Sequence, residues 1–236
     1  MRKVLLSSGG MDSFLLAHEP ELAGAVHVFV DIGQRYVHKE RAAARFVAES
    51  CNAEYVDVST IPIAAFEHVE TGIIPFRNAE LILCAAQFGE AIYAGVIADE
   101  VNSDKSPEFL RAMEQVLNIS HRGQYWTEGR TFELRTPFAD TTKTELVSRY
   151  LSRGGSLGHL LRSVSCYSSS EQHCGRCSSC FKRWVALTCA LGVDMGEEFE
   201  QHPATWKTRE EWEVKLEGYA DRRIMDVFKA LALAEL

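Results

Sequence analysis

The chain has 236 residues, a length that suits one large domain or one domain with an appendage. Its composition, 46% hydrophobic and 25% charged, is that of a soluble globular protein, and no apolar run approaches the roughly 20 residues of a membrane span. The net charge of −8 argues against broad electrostatic binding of nucleic acid or of an anionic membrane. The apolar stretch at residues 4–6 is too short for a signal-peptide core, so we expect a cytoplasmic protein with reduced thiols.

The first predicted element is a buried strand at residues 4–6 that turns through small residues into a helix. Gly9 and Gly10 give this turn unusual backbone freedom, and Ser8 and Ser13 add hydroxyl donors. The first N–H groups of a helix lack intrahelical partners and attract anions, so the stretch predicts a phosphate site. It carries neither the Gly-Lys-Ser/Thr of the common phosphate loop nor G-x-G-x-x-G. The alternative is a tight turn with an ordinary N-cap.

Four further strands alternate with helices, and they are predicted at residues 25–30, 55–58, 92–98 and 132–135. This alternation indicates an α/β fold with a doubly wound, parallel, five-stranded sheet of Rossmann-like type. Ligands of such sheets bind at the carboxyl ends of the strands, where residues 31–35 follow the second strand.

Three polar groups predict helix starts. Asn78 is the expected N-cap of one helix, and Ser106 followed by Pro107 is the expected N-cap and first residue of the next. Thr142 and Glu145 have the spacing of a capping box.

We expect three parts: an α/β domain with the predicted phosphate site over residues 1–160, a cysteine-rich region over 161–195, and an appended helical tail over 196–236. Apolar residues recur in the tail, many at helical spacing: Trp206, Trp212, Leu216, Tyr219, Ile224, Val227, Phe228 and Leu231. They predict a protein–protein contact, in a homodimer or with another partner. The alternative is that the tail folds back over its own sheet.

Four of the seven cysteines have a spacing typical of metal ligands, and they are Cys166, Cys174, Cys177 and Cys180. Two adjacent C-x-x-C steps let sulfurs converge from one turn, and four thiolates suit a structural tetrahedral Zn²⁺. An iron–sulfur cluster is the rival, a set of disulfides is a third reading, and His173 could replace one thiolate. The other cysteines, Cys51, Cys84 and Cys189, fall on or beside predicted helices and read as small packing residues.

Together these motifs resemble those of the QueC family of 7-cyano-7-deazaguanine synthases. Residues 8–13 read S-G-G-M-D-S, which is similar to the S-G-G-x-D-S pyrophosphate loop of ATP pyrophosphatases. Further resemblance is carried by the stretches 31–35, 77–78, 95–96, 104–109, 136–145 and 165–183, the last of which ends in Arg183.

The resemblance implies an ATP-dependent ligase that uses Mg²⁺ and Zn²⁺. It would adenylate 7-carboxy-7-deazaguanine, release pyrophosphate, and let ammonia displace AMP to give an amide. A second ATP would then activate the amide for dehydration to 7-cyano-7-deazaguanine. Preorganised N–H groups and a cation should hold the leaving pyrophosphate, since charge develops there.

Roles in this reaction follow from the matched positions. Ser8, Gly9, Gly10 and Ser13 would cradle pyrophosphate, and Lys143 would supply the cation.

Asp12, the second expected catalytic residue beside Lys143, would orient Mg²⁺ or the loop, unless it is only a second helix cap. The expected substrate-binding residues are Gln34, Arg35, Arg77, Asn78, Asp104 and Glu108.

Two substrate contacts have simpler alternatives. Arg35 would pair with the substrate carboxylate or form a surface salt bridge. Asp104 or Glu108 would accept hydrogen bonds from the guanine-like edge, although Glu108 could merely favour the helix dipole.

The chain departs from the family pattern in three places. Tyr36 stands where the family usually has His, the loop at residues 97–106 is short, and the tail from residue 197 is extra. A QueC-like enzyme of phage or antiviral defence that joins the deazaguanine acid to another amine, including one on a protein, is therefore the alternative function. Two other functions fit the same motifs: an adenylating enzyme that amidates or thiolates another substrate such as tRNA, and a zinc-stabilised binding module that holds nucleotide without turnover.

Overall fold

The computed structural model describes residues 1–69, 73–98, 103–168, 170, 172–207 and 221–235. Two compact units divide the chain, Met1–Asp140 and Thr141–Leu236. The three-part division expected from the sequence stays a prediction.

The first unit is built on a sheet that, among the described residues, has five strands, all parallel, in the order β3-β2-β1-β4-β5. The strands are β1 (Lys3–Leu6), β2 (Val26–Asp31), β3 (Tyr55–Ser59), β4 (Ala91–Tyr93) and β5 (Glu133–Arg135). The chain crosses from β3 to β4 over β2 and β1, so the direction of winding reverses at β1. The predicted α/β fold with a parallel five-stranded sheet is confirmed.

Helices connect the strands and build the second unit. In chain order they are α1 (Met11–Ala17), α2 (Val37–Ser50), α3 (Arg77–Ala85), α4 (Pro107–Ser120), α5 (Lys143–Ser152), α6 (Leu157–Leu161), α7 (Ser178–Leu191) and α8 (Asp221–Leu233). Short 3₁₀ turns lie at Pro20–Leu22, Ile63–Phe66, Ser103–Lys105, Gly196–Glu198 and Pro203–Trp206.

One face of the sheet is covered by α3 and α4. Val4, Val28 and Ile92 form a buried cluster there with residues of both helices, including Ile82 and Leu117. Side chains alternate along a strand, so the intervening residues of β1 and β2 point to the opposite face.

Two details of the first unit differ from expectation. The fourth strand ends at Tyr93 rather than at residue 98, because the chain turns at Ala94, whose carbonyl accepts from the Val96 amide at 2.9 Å. Asn78 is not an N-cap: α3 begins at Arg77 after Phe76, which has a left-handed backbone with φ of 61°. The Asn78 amide instead donates to the Asp104 carbonyl at 3.3 Å.

The other two predicted helix starts are confirmed. The Ser106 hydroxyl accepts from the Phe109 amide at 3.0 Å, with Pro107 as the first residue of α4. The capping box at α5 is complete, since Thr142 accepts from the Glu145 amide at 3.2 Å and the Glu145 carboxylate accepts from the Thr142 amide at 2.7 Å.

In the second unit, the described part of the tail packs on α7. Val227 and Ala230 are buried in one cluster with Phe181 and Trp184, and Ile224, Leu231 and Trp206 pack against it.

Hydrogen bonds join α8 to the end of α7: Lys229 donates to the Cys189 carbonyl at 3.1 Å, and the Cys189 thiol donates to the Asp226 carbonyl at 3.0 Å. The outer side of α8 keeps Met225 and Phe228, which are 68% and 43% exposed. Trp212, Leu216 and Tyr219 lie outside the described residues. Within the described ranges, no helix combines the length and the apolar character needed to cross a bilayer.

Candidate functional site

The loop between β1 and α1 is closed by its own polar groups. Ser8 Oγ accepts from the Gly10 amide at 3.3 Å and lies 3.4 Å from Ser13 Oγ, which donates to the Gly10 carbonyl at 3.0 Å. Ser8 is exposed and Ser13 is buried. The two hydroxyls and the Gly10 backbone therefore form one small hydrogen-bonded group at the carboxyl end of β1, where α1 begins.

Gly9 can only be glycine in this arrangement. It has a φ of +71°, and a Cβ added to it would lie 2.6 Å from the Glu40 carbonyl oxygen and 2.7 Å from the Ala44 amide nitrogen. The loop thus rests directly on the backbone of α2. Gly95, after β4, approaches from the other side: its added Cβ would be 3.3 Å from the Cβ of Asp12.

Asp12 is the second residue of α1, and Gly10 holds the N-cap position without a side-chain cap. The Oδ1 atom of Asp12 is buried although the residue as a whole is half-buried. The carboxylate therefore lies inside the loop region rather than in open solvent.

The segment after β2 is fixed by a turn and by Gln34. Gly33 has a φ of +82° and donates its amide to Asp31 Oδ1 at 2.9 Å. Gln34 is buried; its Oε1 accepts from the Ile32 amide at 3.0 Å, and its Nε2 donates to Glu40 Oε2 at 2.9 Å. Both ends of the Gln34 amide are occupied, so this side chain acts on the site through Glu40.

Glu40 is the residue that sequence reasoning missed. Its backbone touches Gly9, and burial raises the pKa of its carboxyl to about 7, against the opposing effects of the Gln34 hydrogen bond and the Arg77 charge. The sequence does contain a signal for Glu40: its carboxyl lies four residues before Ala44, and this spacing places it on the buried side of the helix. Gln34, Glu40 and Arg77 therefore form one group beside the loop.

Arg35 stands apart from that group. Its guanidinium pairs with Glu67 at 3.1 Å, and its side chain is 65% exposed. The surface salt bridge considered from the sequence is what the structure shows for this residue.

A second group joins two predicted substrate residues. The bond from Asn78 to the Asp104 carbonyl ties the start of α3 to the turn before α4. Glu108 is exposed in the first turn of α4 and makes no side-chain cap. Lys143 belongs to the second unit, where it is the first residue of α5. The structure thus brings together Asn78 with Asp104, and Gln34 with Arg77 through Glu40.

The four clustered cysteines converge in the second unit. Their sulfurs all lie within 4.8 Å of one another, and the Cys174 and Cys180 sulfurs are 3.9 Å apart. A tetrahedral zinc site with Zn–S bonds of about 2.3 Å requires sulfurs about 3.8 Å apart, so the arrangement fits a metal ion. All seven cysteines lie in the described ranges and none forms a disulfide.

Backbone amides point at these sulfurs. Cys166 accepts from the Ser168 and Cys174 amides at 3.3 and 3.4 Å, and Cys177 accepts from the Cys180 amide at 3.4 Å. Such donors stabilise thiolates, the form that binds metal. His173 is not a fifth candidate, because its Nε2 accepts from the Ser165 amide at 3.1 Å.

The remaining thiols behave as packing groups. Burial raises the pKa of Cys51, and it raises the pKa of both Cys84 and Cys189 to about 11. These shifts favour the protonated thiol at neutral pH, in keeping with the packing role expected from the sequence.

Comparison with known proteins agrees with the motifs. Residues 58–191 match the family described as queuosine biosynthesis protein QueC. The 7-cyano-7-deazaguanine synthase of Methanosphaerula palustris is 32% identical over 85% of this chain and 100% of its own. Its counterpart in Methanoculleus marisnigri is 31% identical over 85% of this chain and 99% of its own. The counterpart in Chlorobaculum tepidum is 32% identical over 86% of this chain and 98% of its own.

Among solved structures, the U34-tRNA thiolase NcsA of Methanococcus maripaludis, solved with its [4Fe-4S] cluster, is similar over 93% of this chain and 73% of its own, at 14% identity and a TM-score of 0.42. The family assignment rests on the sequence matches, which span most of the chain and nearly the whole of each relative. The chain belongs to the QueC family.

Proposed function

We propose that this protein is an ATP-dependent ligase that adenylates 7-carboxy-7-deazaguanine, amidates it with ammonia, and carries the amide on to 7-cyano-7-deazaguanine. The observation that carries the proposal is the loop at residues 8–13, in which two serine hydroxyls lie 3.4 Å apart and bond to the Gly10 backbone at the carboxyl end of a central strand. The names of the relatives supply the product, 7-cyano-7-deazaguanine, and the family resemblance supplies the acid substrate.

The steps follow from the bonds that must form and break. A carboxylate oxygen attacks the α-phosphorus of ATP, and pyrophosphate leaves. The ammonia nitrogen then attacks the acyl carbon, and AMP leaves with the carboxylate oxygen, giving a primary amide and a proton. The amide oxygen attacks the α-phosphorus of a second ATP, and pyrophosphate leaves. Loss of AMP and of both N–H protons from the activated amide yields the nitrile.

The chain's own groups have defined tasks in these steps. Ser8, Ser13 and the Gly10 amide would hold the leaving pyrophosphate, and Asp12 would place the Mg²⁺ that neutralises phosphate charge. Lys143 is the proposed cation for the same group. A preorganised donor of this kind contributes on the order of 10²–10³ in rate.

For the deazaguanine, two contacts remain proposals. Arg77 has the charge to meet the substrate carboxylate, and the Asn78–Asp104 pair presents polar groups for the guanine-like edge. Arg35 would have to leave Glu67 to take part.

Zn²⁺ is the metal proposed for the four cysteines, where it would supply folding energy and no chemistry, because four thiolates leave no open coordination position. Within the described tail, Met225 and Phe228 are the residues proposed to make the homodimer or partner contact, because they are exposed. Ile224, Val227 and Leu231 instead pack on their own unit.

The test is one reaction with the full chain, the acid, MgATP and ammonium. Two AMP per product and a product with the mass of the nitrile would support the whole proposal. ADP in place of AMP would refute the assignment of the loop.

A second candidate function is conjugation of the deazaguanine acid to another amine in phage or antiviral defence, including an amine on a protein. The observation that favours it is Tyr36, a buried aromatic residue at the start of α2 where the family pattern usually has His. The same reaction separates the two: a product that stays at the amide, and a secondary amide when a primary amine replaces ammonium, would favour conjugation.

A further inference from the structure

Arg183 is a fully buried cation in the second unit, three residues after Cys180 on α7. Its guanidinium donates four hydrogen bonds, and none goes to a carboxylate. Nη1 donates to the carbonyl and the hydroxyl oxygens of Ser163, at 2.9 and 2.7 Å, and Nη2 donates to the carbonyls of Leu161 and Leu160, at 2.9 and 3.4 Å.

These acceptors are the last two carbonyls of α6 and the two oxygens of Ser163, which lies two residues beyond the helix. Carbonyls at a helix C-terminus lack intrahelical partners and carry partial negative charge, so a buried cation is well placed among them. Ser163 is itself buried, and its hydroxyl also donates to the Leu160 carbonyl at 2.6 Å. Arg183 therefore fixes the direction of the chain at the point where the chain leaves α6.

That point lies three residues before Cys166. The other three thiols do not depend on this segment for their position, because Cys174, Cys177 and Cys180 belong to one turn and to the start of α7. Cys166 alone is delivered by a separate loop.

Two anchors hold this loop, Arg183 at Ser163 and the imidazole of His173 at the Ser165 amide, 3.1 Å away. The charge also suits the site, because four thiolates around a divalent ion leave a net charge of −2. Burial lowers the pKa of Arg183 to about 10, and the nearby Cys180 and Glu198 oppose that shift and favour the charged guanidinium.

We propose that Arg183 is a positioning residue that holds the chain between α6 and Cys166 so that the Cys166 sulfur completes a four-thiolate metal site. The inference concerns the metal site alone, so it is independent of the reaction proposed above. It predicts that losing Arg183 releases one specific ligand before the other three.

The experiment measures the alkylation rate of each cysteine by mass spectrometry, in the full chain loaded with zinc. For Arg183→Met we expect the ratio of the Cys166 rate to the Cys174 rate to rise on the order of tenfold, because charge-assisted hydrogen bonds to the loop are lost. Arg183→Lys should raise the ratio less, since the ammonium keeps the charge but cannot reach all four acceptors.

Ser163→Ala tests the same idea in a milder way and guards against loss of folding in Arg183→Met. It removes one acceptor of the guanidinium and should raise the ratio several-fold.

Thr188→Val is the matched control: Thr188 is also buried on α7, but its hydroxyl accepts from the Met195 amide at 3.2 Å, away from the Cys166 loop. We expect this control to leave the ratio unchanged. The proposal is overturned if Ser163→Ala leaves the ratio at the wild-type value. It is also overturned if all four cysteines of the Arg183 variants react faster by the same factor, so that the ratio stays at the value of the control.

Discussion

Replacing Glu40 with glutamine should change how the stability of the protein depends on pH. Glutamine keeps the shape of the side chain and can still accept the hydrogen bond from Gln34, but it cannot ionise. Burial raises the pKa of Glu40 from 4.5 to about 7, so between these values the folded protein holds a proton that the unfolded chain has released. The wild type must therefore lose stability as pH rises through this window.

The size of the effect follows from the shift. Each pKa unit corresponds to about 1.4 kcal/mol, so ionised Glu40 costs the folded state about 3 kcal/mol by pH 8 relative to pH 4. We expect the free energy of unfolding of Glu40→Gln, relative to that of the wild type, to rise by about 3 kcal/mol between pH 4 and pH 8. Urea unfolding followed by far-UV circular dichroism measures it.

Glu49→Gln is the control, because it makes the same charge change at an exposed position of the same helix. Burial lowers the pKa of His27 to about 4, so the protein also loses stability in the opposite direction, as pH falls and His27 takes up a proton. It is present in every variant, so its effect cancels in the comparison. A difference between Glu40→Gln and the wild type that does not change with pH would refute the reasoning.

Three further outcomes are expected. Cys177→Ser should give insoluble or metal-free protein, and elemental analysis of the wild type should find one zinc per chain; iron, or soluble protein without metal, would contradict this. Asp12→Ala and Lys143→Ala should each lower AMP formation on the order of 10²–10³ with an unchanged circular dichroism spectrum, and near-normal AMP would remove that residue from the mechanism. Met225→Ser combined with Phe228→Ser should dissociate a homodimer or lose a copurifying partner; an unchanged mass in light scattering, with no partner lost, would argue that the tail serves only its own unit.

The parts of the fold that depend on local signals could be predicted from the sequence. Apolar runs identified the strands, and the spacings at Ser106, Thr142 and Cys166 to Cys180 identified two helix starts and the four-cysteine cluster, because each of these signals lies within a few neighbouring residues. The strand at Ala91 was overestimated because apolar residues continue past Tyr93 after the chain has left the sheet.

The remaining features depend on distant residues. Asn78 has the chemistry of an N-cap, but its amide is used by Asp104, 26 positions away. Glu40 reads as one more charge on a helix until Gln34 and the loop at Gly9 are seen beside it. Arg183 lies 20 positions from Ser163, and no local pattern predicts that pairing.

The packing of the tail on the cysteine-rich core also sets an order of events during synthesis. A Cβ on Gly175 would meet the Gln201 carbonyl at 1.6 Å, so residue 201 lies directly against the turn that carries two of the thiols. Val227 and Ala230 complete the same core from α8. Translation makes the four thiols well before these covering residues exist. The nascent chain therefore passes through an interval in which the thiols are made and still uncovered.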